Sequence, residues 1–253
     1  MNATSFLLKG DLCYSVDPNT LRSVPNGYLL CVDGRCAGVF DTIPESYASL
    51  PLLDYTGHLI LPGLTDLHVH APQYTYRGLG MDLELLDWLN TYTFPEEARF
   101  RDLSYAKQAY SRFVEDVRRG PNTRLCAFAT VHPDATRLLM DLLEESGLVA
   151  MVGKVNMDRN ASPDLQEESA EASLAATVSW LEESADRYQR VSPILTPRFI
   201  PSCSDPLMES LGKLQRERNL PVQSHLSENR SEVEWVKELC PSSHGYGDAY
   251  DSF

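Results

Sequence analysis

From about Leu59 onward, apolar runs of strand length alternate with segments whose apolar residues recur at spacings of three and four. The strand candidates are residues 64–69, 125–131, 149–155, 193–199 and 221–226. Ala106, Tyr110, Phe113, Val114 and Val117 mark one helix face, closed by Gly120. Leu138, Leu139, Leu142 and Leu143 mark a second that runs to Gly147, with Asp134 placed to cap its start. Leu174, Val178 and Leu181, then Leu207, Leu211 and Leu214, then Val233, Val236 and Leu239 mark three more. A strand–helix rhythm of this kind predicts an α/β fold in which a mostly parallel sheet is covered by helices.

Residues 1–60 read differently. Short apolar runs, residues 6–8, 27–32 and 36–40, are punctuated by turns, and Asp33-Gly34 between the last two is a hairpin signal. This segment is expected to form a small β-module ahead of a main domain at 61–253. The acidic patch 166–171 reads as a solvated helix start, and the terminal SSHGYGDAYDSF reads as loop.

The charge balance narrows the partners. With 22 Lys+Arg against 36 Asp+Glu the net charge is 22 − 36 = −14, which opposes a nucleic-acid backbone or an anionic membrane as the main partner. No apolar stretch approaches membrane-spanning length, and the start MNATSFLLKGDLCYSVD lacks the pattern of a secretory signal, so a cytoplasmic location is expected. The cysteines Cys13, Cys31, Cys36, Cys126, Cys203 and Cys240 are dispersed and form no CxxC pair; they read as reduced packing residues.

The chemistry gathers at the ends of the strand candidates. His68 and His70, in LPGLTDLHVHAPQY, are two apart on a strand and share one face, so both can reach an ion at the roughly 2.0–2.1 Å of a zinc–nitrogen bond. Read alone, the pair has a competing reading as two surface or core histidines. His132, Lys154, Arg198 and His225 with Glu228 each follow or end a later strand candidate, and in a parallel barrel such positions collect at one mouth, where active sites of that fold form. His225 is then the third metal ligand, and three imidazoles leave a fourth position open for water. Glu228 is placed to take and return that water's proton; the competing reading is a helix-start carboxylate, with Ser227 as cap. Arg198 suits a carbonyl or ring nitrogen of a flat substrate, or else a salt bridge to a structural carboxylate. Gln73 could read a heterocycle edge or lie on a surface loop. Tyr74, Tyr76, Trp88, Tyr92 and Phe94 offer walls for a flat ligand, although core or loop packing is the commoner role for such residues.

The runs LPGLTDLHVHAPQY, LLDWLNTYTFPEEARF, VGKVNMD, ILTPRFIPSCS and QSHLSENRSEVEWV resemble the guanine deaminases, a family within the amidohydrolase superfamily, from about Leu61 to Leu239. The resemblance implies a TIM-like (β/α) barrel of the metal-dependent hydrolase type, preceded by part of a β-sandwich assembled from both chain ends. It implies hydrolysis of guanine to xanthine and ammonia with one Zn²⁺ per subunit, no organic cofactor, and a homodimer. Carried over by position, His68, His70 and His225 would bind zinc, His70 and His225 would also lie near the substrate, and Glu228 would shuttle the proton while facing the ring. Gln73, Arg198 and Phe199 would hold the purine.

Two departures qualify the likeness. The segment 120–124, Gly-Pro-Asn-Thr-Arg, replaces a Gly-Thr-rich stretch. The family also supplies a histidine after strand six and a zinc-binding aspartate after strand eight, which His244, Asp248 and Asp251 do not match because they follow no strand pattern. The chain therefore resembles the amino-terminal part of such an enzyme: a front module and five of eight barrel units. A barrel so interrupted leaves two strand edges and an apolar interior open, so the isolated chain is expected to be unstable and inactive. Two other functions compete: an aminohydrolase for another heteroaromatic amine, and a truncated, non-catalytic interaction protein.

Overall fold

The structure is a computed structural model that describes residues 4–253; the first three residues of the amino-terminal segment lie outside it. Two compact units divide at Gly63 and Leu64.

The first unit is a four-stranded sheet in the order β3-β2-β1-β4, from β1 (Phe6–Asp17), β2 (Thr20–Val32), β3 (Arg35–Phe40) and β4 (Leu52–Ile60). β2 and β3 pair antiparallel across the Asp33-Gly34 turn, where both residues have positive φ (49° and 76°). Positive φ at both central positions is what the Asp-Gly pair supplies to a tight hairpin. β1 and β2 form a second, longer hairpin, and β4 adds parallel to β1. Leu7, Leu12, Val24 and Leu30 pack one face. The strand expectations were too short here because Ser15 and Arg22 interrupt the apolar alternation while the β1–β2 ladder continues through them, and Asp11, at a bulge in that ladder, stays paired to Leu59 of β4.

In the second unit, β5 (Leu64–His70), β6 (Asn122–Phe128), β7 (Val149–Gly153) and β9 (Val191–Pro193) form a parallel sheet in that order. The third and fourth strand candidates each break in two. β8 (Val155–Asn156) resumes one after Lys154, β10 (Thr196–Pro197) resumes the other, and these two pair parallel with each other. The fifth candidate is not a strand. It makes one bridge, Leu195 to Val222, with Leu195 N donating to Pro221 O (3.0 Å) and Gln223 N to Leu195 O (2.9 Å). Pro221 and the polar Gln223 and Ser224 interrupt it, and Ser224 turns its hydroxyl to Pro197 O (2.7 Å).

Short helices α1 (Leu85–Trp88) and α2 (Phe94–Ala98) follow β5, joined by a π-helical turn at Leu89–Thr93. The covering helices are α3 (Leu103–Arg119), α4 (Pro133–Ser146), α5 (Ala170–Ser184), α6 (Asp205–Arg218) and α7 (Arg230–Leu239), and α8 (Tyr246–Asp251) follows them. They bury Phe113, Leu139, Leu143, Trp180 and Leu211 against the sheet. Along β7, Ala150 and Val152 are buried under the helices while Val149 and Met151 stay exposed, so the opposite, apolar face is open. Among the described residues, no helix is long and apolar enough to cross a membrane.

Several local expectations are corrected. His132, not Asp134, occupies the N-cap position of α4, without a side-chain cap bond, because Pro133 takes the first helical position and moves Asp134 into the first turn. Gly147 closes that helix in the left-handed region (φ 82°), whereas Gly120 ends α3 with an ordinary extended φ of −84°. Asn229, not Ser227, caps α7, through a reciprocal box with Glu232. Of the acidic patch, Glu167 is not solvated: it pairs with the fully buried Lys154. The terminal segment is not all loop, since Tyr246, Ala249 and Tyr250 give α8 one buried face.

Candidate active site

β5 ends at His70, and its period-two geometry turns His68 and His70 to the same side. His225 comes from within the irregular 221–226 segment. One nitrogen from each of the three histidines lies within 4.8 Å of the others. His70 and His225 stack at 12° with Nε2 atoms 2.9 Å apart, while His68 meets both rings edge-on. Phe128, at the end of β6 and in register with His70, lies 4.4–5.2 Å from all three rings between centroids.

The protonation state follows from the contacts. His225 Nδ1 lies 2.7 Å from Arg198 O, and a carbonyl only accepts, so Nδ1 carries the hydrogen and Nε2 presents a lone pair. Burial, together with the Arg198 charge, lowers the His225 pKa to about 3. Burial lowers that of His70 well below the usual value, helped by His225, Arg198 and His68. Neutral imidazoles are the form that binds a metal. An ion held tetrahedrally at about 2.0–2.1 Å separates its nitrogens by roughly 3.3 Å, inside the span these rings already occupy. The buried His70 Nδ1 has no hydrogen-bond partner among the described residues. The donor set therefore fits a zinc ion.

The histidines line a cavity of about 370 Å³ together with Gln73, Tyr74, Tyr76, Trp88, Arg198, Phe199 and Glu228. Arg198, 2 % exposed, directly follows β10 and is held by Glu97. The salt bridge read as one alternative for Arg198 is present, and the same side chain lines the cavity. Glu228 sits at the rim after Ser227, whose φ of 58° reverses the chain. Burial raises the Glu228 pKa above the usual carboxylate value, Glu232 raises it further, and Arg198 opposes both. Glu232 is fully buried and accepts the backbone N–H groups of Glu228 (2.8 Å) and Asn229 (3.1 Å), fixing this turn.

Residues 59–252 match the amidohydrolase family. The chain belongs to the amidohydrolase family. It is 37 % identical to guanine deaminase of Dictyostelium discoideum, over 98 % of this chain and 59 % of that protein. It is 45 % identical to guanine deaminase of Homo sapiens, over 76 % of this chain and 42 % of that one. The crystal structure of guanine deaminase from C. acetobutylicum with bound guanine in the active site superposes with a TM-score of 0.93 at 44 % identity, covering 98 % of this chain and 59 % of that one. A triazine hydrolase at 13 % identity and a TM-score of 0.79 shares the fold. The chain thus spans about half the length of the relatives it matches.

Within this amidohydrolase, two residues singled out from strand ends lie elsewhere. Lys154 is fully buried against Glu167, and His132, whose pKa burial lowers to about 4, sits at the start of α4; neither lines the cavity. Of the aromatics, Tyr74, Tyr76 and Trp88 line it, but Tyr92 does not, and Phe94 lies beneath Arg198, 5.2 Å from its guanidinium carbon. Four contributors were missed, Glu232 among them. Phe128 went unnoticed because the second strand ends three residues before the expected Val131. Glu97 carried a signal, since Phe94, Glu97 and Phe100 are spaced by three and all are buried. Tyr250 donates to His225 O (2.7 Å), so α8 holds the third histidine from behind.

Proposed function

We propose that this chain supplies the zinc-binding and purine-reading part of a guanine deaminase. The observation that carries the reading is the convergence of three histidine nitrogens at one point of a cavity that Glu228 and Arg198 also line. The likeness to guanine deaminases supports the substrate, because the C. acetobutylicum relative has guanine in its active site.

His68, His70 and His225 would hold one zinc ion per subunit. Zinc, when bound, lowers the pKa of water and makes it a nucleophile near neutral pH. The overall reaction adds water to the ring carbon bearing the exocyclic amine, forms a carbon–oxygen bond, breaks the carbon–nitrogen bond and leaves a ring carbonyl and ammonia. Glu228 accepts the water's proton and delivers it to the departing amine; its raised pKa suits a group that must both take and give. Arg198 and Gln73 donate to ring acceptors, and Phe199 and Trp88 exclude water from the flat faces. The remaining barrel strands and any further ligands would come from the rest of the deaminase polypeptide, which accords with the open apolar face of β7. The complete protein is taken, on the resemblance, to be a cytoplasmic homodimer.

The test is zinc content and ammonia release from guanine, adenine, cytosine and an amino-triazine, for the full-length polypeptide and for residues 1–253 alone. Guanine should be preferred by the full-length protein. Faster turnover of another amine, or activity without a bound metal, overturns the proposal.

A further inference from the structure

Glu97 is 1 % exposed, yet it belongs to no expected metal or proton-transfer group. It lies on α2, on the same face as the buried Phe94 and Phe100. Arg198 Nη1 donates to Glu97 Oε2 (2.6 Å) and Arg198 Nη2 to Oε1 (3.1 Å), an end-on fork between segments 101 residues apart. Gln73 Nε2 reaches the same Oε1 at 3.5 Å. One sealed carboxylate therefore touches both polar side chains of the cavity wall that are suited to reading a ring edge.

We propose that Glu97 is a positioning residue: it holds Arg198 and Gln73 as one neutral donor array, so that the cavity prefers an uncharged amino-heterocycle over the anion of its deaminated product. This rests on the guanine reading above. An end-on pair uses one N–H of each terminal nitrogen and leaves the outer N–H groups and Nε–H for the cavity. Among the described residues the guanidinium makes hydrogen bonds only to Glu97. Without a carboxylate behind it, the Arg198 charge would stand unpaired in a buried wall, and an anion would be its natural partner. Deamination exchanges an amine for a carbonyl and creates an acidic ring N–H, so product ionises more readily than substrate. Neutralising Arg198 thus favours release of what the reaction makes.

The test uses the full-length, zinc-loaded protein, with E97Q removing the charge at constant size and E97D keeping the charge while withdrawing it by one methylene. For E97Q, KM for guanine should rise about tenfold with kcat changed less than about threefold, and the ratio of the xanthine inhibition constant to KM should fall about tenfold, further at pH 9 than at pH 7. For E97D, KM should rise while that ratio stays put. Parallel changes in KM and inhibition constant in E97Q, or none, overturn the proposal. If E97Q does not accumulate, E97D decides it, and a native KM there is the overturning result. Wild-type protein that retains zinc but releases no ammonia from guanine defeats the substrate reading instead; the same comparison on the amine it does accept then judges Glu97 separately.

Discussion

Replacing Glu167 by Ala in the full-length protein removes the partner of a fully buried ammonium. Lys154 is 0 % exposed and Glu167 11 % exposed, and the carboxylate also accepts Met157 N (2.9 Å) and Ser173 Oγ (2.6 Å). Breaking one side of a buried pair costs about 3–5 kcal/mol. The orphaned Met157 N–H adds to the same loss rather than independently, because all these groups share one network. We expect about 4 kcal/mol, which lowers Tm by at most roughly 8–16 °C, the shift for a domain of about 150–250 residues. Burial already depresses the Lys154 pKa, and Glu167 opposes that depression, so E167A lowers it further. A lysine whose folded pKa lies below its unfolded value of about 10.4 binds fewer protons folded than unfolded between the two values, so stability rises with pH across that window. The deficit of E167A should therefore be constant around neutral pH, where the wild-type carboxylate is ionised, and shrink as pH climbs towards about 10. Urea titrations at a series of pH values measure this, and K154M/E167L should recover to within about 1 kcal/mol of wild type, with unchanged KM because neither residue lines the cavity. A deficit below about 1 kcal/mol at pH 7, or one that grows with pH, refutes the reasoning.

Glu228→Gln should retain zinc and lower kcat by about 10²–10⁴-fold, and the acid limb of the wild-type rate profile should lie above the usual carboxylate range, activity falling as pH drops through the raised Glu228 pKa. His225→Ala should abolish stoichiometric zinc in dialysed protein, measured by atomic absorption, whereas an unchanged metal content would remove His225 from the ligand set. Asn229→Ala loses the reciprocal cap of α7 and should cost about 1 kcal/mol in denaturant titration, while turnover falls because the turn carrying Glu228 loosens.

The helices α3 to α7 were legible because their apolar faces repeat at three and four, and β5 because Leu64, Leu67 and Val69 make a short apolar run that ends at the two histidines. The strand breaks at Lys154 and after Pro193 were not, since the apolar residues continue through them while the backbone shifts its pairing from one sheet to another. Spacing singled out His68, His70, His225, Arg198 and Glu228 because polar residues at strand ends stand out against apolar runs. Lys154 stands out equally but turns into the packing, where Glu167, thirteen residues on, waits for it. The partners Glu97 and Tyr250 lie on helices 101 and 25 residues from the groups they hold, and linear order does not disclose which side chains such helices bring together. Tyr246 and Tyr250 were readable in principle, four apart in a segment whose glycines and serines masked the helical period.

Phe128 touches all three histidine rings, and two of those rings come from one flank of the open sheet while the third comes from the other, 155 residues away. A cation held by these three histidines would rivet the two flanks together. Stripping it should then do more than silence turnover: the mouth of the sheet would be free to splay, and hydrogen exchange along β5 and the 221–226 segment should quicken together.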